Sequence, residues 1–71
     1  MPEETYVNRI GETAGAVWHA LNAEGPMSMT AVVKAVNRPR DLVMQAIGWL
    51  AREGKLRVVE EGRSRTVSLT E

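Results

Sequence analysis

Six polar side chains in the C-terminal half of the sequence have the chemistry to bind duplex nucleic acid. They are Arg38, Arg40, Gln45, Arg52, Arg63 and Arg65. Arginine can donate paired hydrogen bonds to guanine or to a phosphate, and glutamine can pair with adenine in the same two-bond manner. The set therefore predicts a nucleic-acid-binding surface if the fold brings these side chains to one side of the molecule.

The charge distribution favours the same half of the chain. The 71-residue sequence has a formal net charge of zero, which argues against strong nonspecific binding to nucleic acid. Residues 1–30 nevertheless contain one basic and four acidic side chains, whereas residues 31–71 contain eight basic and five acidic ones. A polyanion should therefore approach the C-terminal part of the molecule.

Catalytic and metal-binding chemistry has little support in the sequence. There is one histidine, His19, and no cysteine, so the usual ligands of a zinc centre are absent. No nucleophile motif surrounds Ser28, Ser64 or Ser68, and the six glycines match no phosphate-binding loop. We expect a protein that is not an enzyme and that uses no metal or cofactor.

The length and composition predict one small soluble domain over residues 1–71. Hydrophobic residues make up 44% of the chain and charged residues 25%, as in ordinary globular proteins. A core this small, with no disulfide, would gain stability from subunit pairing, so we expect a homodimer. The acidic start, residues 1–4, resembles neither a signal peptide nor a membrane span, and we expect a cytoplasmic protein without membrane contact.

The spacing of apolar residues predicts three helices followed by a hairpin. A helical face recurs over residues 5–23, a second helix begins at a Ser28 or Thr30 cap and continues to Val36, and a third covers residues 39–53. A short extended piece should separate the first two helices. Alternating apolar and polar residues then predict a two-stranded hairpin over residues 55–69, with a polar turn at residues 60–63.

This order of elements resembles the winged helix-turn-helix, an α+β fold with a short strand and a C-terminal two-stranded wing. Three segments are also similar to a family of small stand-alone prokaryotic winged-helix proteins: IGETAG (10–15), VWHALN (17–22) and AIGWLAREGKL (46–56). The resemblance implies the architecture of the whole chain, with the third helix as recognition helix. It does not imply a particular biochemical activity.

The third helix turns a polar face away from its core positions. On a helical wheel Asp41, Gln45, Gly48 and Arg52 lie opposite the apolar stripe, and Arg38 and Arg40 precede them at the N-terminal end. The resemblance implies that this face would enter a major groove. Asp41 would repel phosphate and Gly48 has no side chain, so a merely solvated face is an equal alternative.

The predicted wing carries a second basic group. It consists of Lys55, Arg57, Arg63 and Arg65. Wings commonly contact a phosphate backbone or a minor groove with such residues, although Glu60 and Glu61 near the tip oppose this. The alternative is that these charges keep an exposed edge strand from pairing with other chains.

Two further features concern packing. Leu42 and Trp49 lie to one side of the third helix's core stripe and could be core residues or form an exposed patch that pairs subunits. Gly11 and Gly15 lie four apart in the first helix, where they favour a close approach of another backbone, either in a dimer or from the wing. These features support an alternative function, a protein-interaction or dimerisation module that binds no DNA.

Overall fold

The computed structural model describes residues 2–70, with side chains from Thr5 to Thr70. Its elements follow the predicted order. They are α1 (Pro2–Glu24), β1 (Met27–Ser28), α2 (Met29–Val36), α3 (Arg40–Arg52), β2 (Leu56–Glu61) and β3 (Ser64–Leu69). The prediction of three helices, a short strand and a terminal hairpin is confirmed, and the differences concern element ends.

Helix α1 is longer than the apolar spacing predicts at both ends. It begins at Pro2, where the fixed φ of proline suits the first turn of a helix, and it continues to Glu24. Helix α2 begins after Ser28, whose hydroxyl accepts a hydrogen bond of 3.1 Å from the backbone N–H of Ala31. Of the two predicted caps, Ser28 is therefore the one used.

Helix α3 has well-defined ends. Asn37, in the left-handed conformation with φ 57°, closes α2, and Pro39 is the N-cap from which α3 starts. At the other end Gly54 has φ +74°, which glycine adopts without steric cost. This conformation lets Lys55 N–H bond to the Leu50 carbonyl at 2.9 Å, so that α3 stops at the base of the hairpin.

The three strands form one antiparallel sheet in the order β1-β3-β2. Glu61 pairs with Ser64, so the turn contains two residues, Gly62 and Arg63, and is tighter than predicted. Gly62 has φ +58°, as the first central residue of such a hairpin turn requires. The hairpin therefore projects as a regular, tightly closed ribbon.

The core lies between the three helices and the sheet. It consists of Ala14, Val17, Leu21, Met29, Val32, Val43, Ala46, Ile47, Leu50, Leu56 and Val67. The apolar stripe of α3 supplies four of these side chains, Val43, Ala46, Ile47 and Leu50, and α1 packs along α3. Burial of these side chains against α1 fixes which face of α3 remains exposed to solvent.

Candidate nucleic-acid interface

The polar face of α3 is exposed along its length. Arg40, Asp41, Gln45, Gly48 and Arg52 are all solvent-exposed. Arg40 and Arg52 begin and end the helix, about 18 Å apart along its axis at 1.5 Å per residue. Since a recognition helix contacts base edges with its N-terminal residues, Arg40 occupies the end suited to bases and Arg52 the far end.

Four of the predicted arginines have unoccupied guanidinium groups. Among the side chains from Thr5 to Thr70, the ion pair within 4.0 Å is Lys55 Nζ to Glu53 Oε1 at 3.5 Å. Within that same part of the chain, no hydrogen bond or ion pair involves the exposed guanidinium groups of Arg40, Arg52, Arg63 and Arg65. All of their donors are available to a ligand.

Arg38 has a structural contact that the sequence reasoning missed. Its Nη1 donates to Thr13 Oγ1 at 3.2 Å, and the Thr13 hydroxyl donates to the Arg9 carbonyl at 2.7 Å. Thr13 is the buried polar residue of the described chain. The contact ties the turn before α3 to α1. A threonine within the apolar stripe of α1 was the available signal, because a buried hydroxyl requires partners.

We expect Thr13→Val to loosen this connection. The substitution keeps the shape of the side chain but removes the acceptor for Arg38 and the donor to the Arg9 carbonyl, which should lower the free energy of unfolding by about 1 kcal/mol. Urea denaturation measures the loss, and Thr30→Val, at an exposed position of α2, is the matched control. Equal stability of the two variants would contradict a structural role for the Thr13 hydroxyl.

Gln45 is also engaged by α1. The Tyr6 hydroxyl donates to Gln45 Oε1 at 3.0 Å, and the Arg9 guanidinium lies 6.0 Å from the centre of the Tyr6 ring. Adenine recognition uses both the oxygen and the nitrogen of the glutamine amide. Gln45 would therefore exchange the Tyr6 contact for a base. A helical wheel of α3 could not reveal this, because the contact depends on how α1 crosses it.

Asp41 is turned toward its own helix. Its Oδ1 accepts a hydrogen bond of 2.9 Å from the backbone N–H of Leu42 in the first turn of α3. A carboxylate at this position also complements the partial positive charge of the helix N-terminus. The residue thus stabilises the start of α3, while its charge still lies beside Arg40.

The hairpin presents arginines at its turn and along β3. Arg63 lies in the two-residue turn, and Arg65 lies directly opposite Glu60 in the strand register. Both arginines and both glutamates of the hairpin are exposed. Glu60 and Glu61, which were predicted to oppose anion binding, belong to β2, whereas Arg63 lies in the turn at the tip of the hairpin.

A groove of about 710 Å³ lies between α1, the end of α3 and the base of the hairpin. Its lining includes Gly11, Gly15, Trp18, His19 and Trp49. A Cβ atom at either glycine would meet nothing within 4 Å. The expected close approach of another backbone at these glycines is therefore wrong within this chain, since α1 leaves the space above them open.

The environments of Leu42 and Trp49 differ, although both lie on the same side of α3. Leu42 is 3% exposed and Trp49 is 44% exposed. The expectation of core packing is wrong for Trp49, whose ring borders the groove, and the expected patch formed by both residues does not exist. Beside Trp49 the groove is lined by Gly11 and Gly15 of α1, which have no side chains to cover the ring.

Other kinds of site are absent from the described residues. The part of the chain covered by the structure contains no group of three or more histidine, cysteine, aspartate or glutamate side chains that could hold a metal ion. Nor does a helix within residues 2–70 combine the length and apolar character needed to cross a membrane. The exposed arginines and the groove are the features left to explain.

Three helices, a three-stranded antiparallel sheet and a projecting terminal hairpin define a winged helix-turn-helix protein, as the order of elements predicted. Residues 1–69 match the family described as winged helix-turn-helix domain (DUF2582). The chain belongs to this family, which confirms the resemblance seen in the sequence.

The similar proteins include an archaeal relative and two bacterial proteins of known structure. An uncharacterised protein of Methanocaldococcus jannaschii, MJ1608, is 36% identical over 64 residues, which cover 86% of this chain and 90% of that protein. Protein BT2368 of Bacteroides thetaiotaomicron has a similar structure in solution, with a TM-score of 0.78 and 32% identity, over 87% of this chain and 76% of that one.

The second similar structure is that of BpsR from Bordetella bronchiseptica. The TM-score is 0.77 and the identity 30%, over 82% of this chain. The match covers 46% of the BpsR chain, so this protein corresponds to less than half of that one. The DNA binding of BpsR is regulated by 6-hydroxynicotinic acid.

Proposed function

We propose that this protein is a non-enzymatic DNA-binding regulator or accessory factor, acting as one domain. Helix α3 enters the major groove of duplex DNA and the hairpin contacts the adjacent backbone. The observation that carries the proposal is the set of exposed, unpaired guanidinium groups at the start of α3 and at the hairpin, on Arg40, Arg63 and Arg65. Such groups bind phosphates and guanine. A DNA partner would place the protein in the cytoplasm of a prokaryotic cell.

The comparison with BpsR supports the same role. BpsR binds DNA, and its structure includes a region that matches 82% of this chain at 30% identity. Fold alone does not establish function, because many unrelated activities share one architecture. The similarity adds weight because the unpaired arginines lie on the two elements with which winged-helix proteins contact DNA.

The six candidate residues divide by their present contacts. Arg40, Arg63 and Arg65 would contact DNA directly, and Arg52 would contact a phosphate at the far end of α3. Arg38 can use the remaining donors of its guanidinium while it holds Thr13. Gln45 contributes only after it releases Tyr6, so we expect it to contribute least to affinity.

We propose in addition that the protein is a homodimer. Helix-turn-helix dimers place two recognition helices on two half-sites, about one helical turn of DNA apart. A second copy would also cover apolar surface that a chain of this size leaves exposed, including Val58 and Val59.

A second candidate function is a protein-interaction module, and the groove beside Trp49 favours it. Tryptophan is prominent among the side chains that dominate binding energy in protein interfaces, and this one borders a groove of about 710 Å³. In this case the partner would contact α1 and the end of α3, and the arginines of the hairpin would remain in solvent.

Backbone amide chemical shifts distinguish the two functions. We expect a mixed-sequence DNA duplex, added to the labelled protein, to shift the amides of residues 38–45 and 62–65 most. The indole N–H of Trp18, which also lines the groove, should change little and serves as an internal control. The absence of shifts at low salt would favour the interaction module, whereas shifts confined to the groove would place the DNA there and contradict the proposed contacts of α3 and the hairpin.

A further inference from the structure

The outer strand of the hairpin has an unpaired edge. In the order β1-β3-β2, β3 is paired on both sides, whereas within residues 2–70 β2 is paired only with β3. Strand β2 has six residues, and all but the first are exposed. Val58 and Val59 are 39% and 44% exposed. An edge of this length with exposed valines is able to pair with another strand.

We propose that β2 pairs antiparallel with β2 of a second copy of this chain, across a twofold axis that passes through Val59. The two three-stranded sheets would become one continuous sheet. This inference rests on the proposed homodimer, for which it names the surface. It does not depend on whether the protein binds DNA.

The direction in which each residue of β2 presents its backbone N–H and C=O groups supports this register. Thr70 N–H donates to the Lys55 carbonyl at 3.2 Å, so Lys55 directs its backbone polar groups toward β3. Because this direction alternates along an antiparallel strand, Val58 and Glu60 direct theirs toward the free edge. A twofold axis at Val59 places Val58 of each copy opposite Glu60 of the other, where they exchange about four backbone hydrogen bonds.

The side chains are complementary in the same register. The side chains of Arg57, Val59 and Glu61 lie on one face of β2. Val58 and its partner in β3, the buried Val67, lie on the other face of the sheet. The axis at Val59 brings Arg57 of each copy opposite Glu61 of the other. Cα atoms at such non-hydrogen-bonded positions are about 4.5 Å apart, and their side chains interact closely. Two opposite-charge pairs thus flank a contact between two Val59 side chains.

The neighbouring registers are less favourable. An axis at Val58 would leave Arg57 opposite Val59, and an axis at Glu60 would place two glutamates opposite each other. An axis between two residues would require side chains on opposite faces of the sheet to lie side by side, which the alternation of a strand forbids. In the described chain neither Arg57 nor Glu61 has an ion-pair partner of its own, so both are available to a second copy.

Cysteine cross-linking tests the register directly, because the sequence contains no cysteine. We expect Val59→Cys to form a disulfide-linked dimer in oxidised glutathione, since the two Cα atoms lie within the range of about 4.4–6.8 Å that a disulfide spans. Val58→Cys is the matched control, because Val58 has a similar exposure but lies on the other face. In the proposed register its Cα atoms are about 8 Å apart, from the strand rise and spacing, which is too far for a bridge.

The possible results of the cross-linking and sedimentation experiments distinguish whether the protein dimerises from whether β2 is the surface that pairs. Faster cross-linking of Val59→Cys than of Val58→Cys supports the register, and equal rates overturn it. If the unmodified protein sediments as a monomer at all concentrations, both the homodimer and this surface are overturned, and the charges serve only to protect the edge. Cross-linking of Gly15→Cys instead, with a dimer in solution, would assign the interface to α1 and overturn the edge pairing alone.

A charge exchange between copies provides an independent test. Arg57→Glu and Glu61→Arg should each weaken self-association at least about tenfold, because like charges then lie opposite each other twice. A mixture of these two variants should form a heterodimer, in which every opposing pair is again complementary. Circular dichroism verifies that both variants fold. No gain in association on mixing would overturn the proposed register.

Discussion

Replacing Arg63 and Arg65 together by glutamate should reduce affinity for duplex DNA by about tenfold or more. Both side chains are exposed and unpaired in the described structure, so they are available to phosphates. Each lost phosphate contact lowers the dependence of log affinity on log salt by about 0.9, so the double variant should show a slope smaller by about 2. Fluorescence anisotropy at several salt concentrations measures both quantities.

The control for this prediction is Lys34→Glu, compared with Arg63→Glu alone. The two variants change the net charge equally, but Lys34 is an exposed residue in the last turn of α2, to which the proposal assigns no DNA contact. If the effect of Arg63 were only a change in net charge, both variants would weaken binding alike. Unchanged affinity and salt dependence in the double variant would remove the hairpin from the proposed interface.

The largest loss of stability is expected from Leu21→Ala. Leu21 is buried in the core cluster, and removal of a buried leucine side chain costs about 2–5 kcal/mol. A small domain has a total stability of about 5–15 kcal/mol, so the variant would be close to unfolding. In a chain of this length each kcal/mol lowers Tm by about 4–8 °C.

Trp49→Ala is the informative comparison for Leu21→Ala. Truncation of a fully buried tryptophan lowers the free energy of unfolding by about 3–5 kcal/mol. The Trp49 ring is 44% exposed and buries less surface, so its truncation should lower this free energy much less. Thermal or urea denaturation of both variants should therefore rank Leu21→Ala as clearly the less stable. A loss for Trp49→Ala as large as that for Leu21→Ala would contradict the placement of this ring at the border of the groove.

The order of elements was predictable because each depends on local chemistry. Apolar spacing marked the helices, Ser28 supplied a cap, and alternating apolar and polar residues marked the hairpin. The element ends were less predictable. Helix α1 begins before Thr5, where the apolar spacing has not yet started, and the two-residue turn lengthens β2 to Glu61.

The contacts around the candidate site depend on tertiary packing and were not predictable. The hydrogen bonds from Arg38 to Thr13 and from Tyr6 to Gln45 join residues 25 and 39 positions apart. A helical wheel places Leu42 and Trp49 together, yet in the fold Leu42 is buried and Trp49 borders the open groove beside the glycines of α1. Periodicity identifies a face of a helix, whereas the neighbouring helix decides which parts of that face are covered.

The most direct test of the proposed function is a titration of labelled mixed-sequence duplex DNA with the unmodified protein, at low and at physiological salt. The proposal predicts binding in the micromolar range or tighter at low salt, weakening steeply as salt rises, since the contacts are mainly arginine with phosphate. Absence of binding at low salt would contradict DNA binding as the function and would leave the interaction module beside Trp49 as the better account.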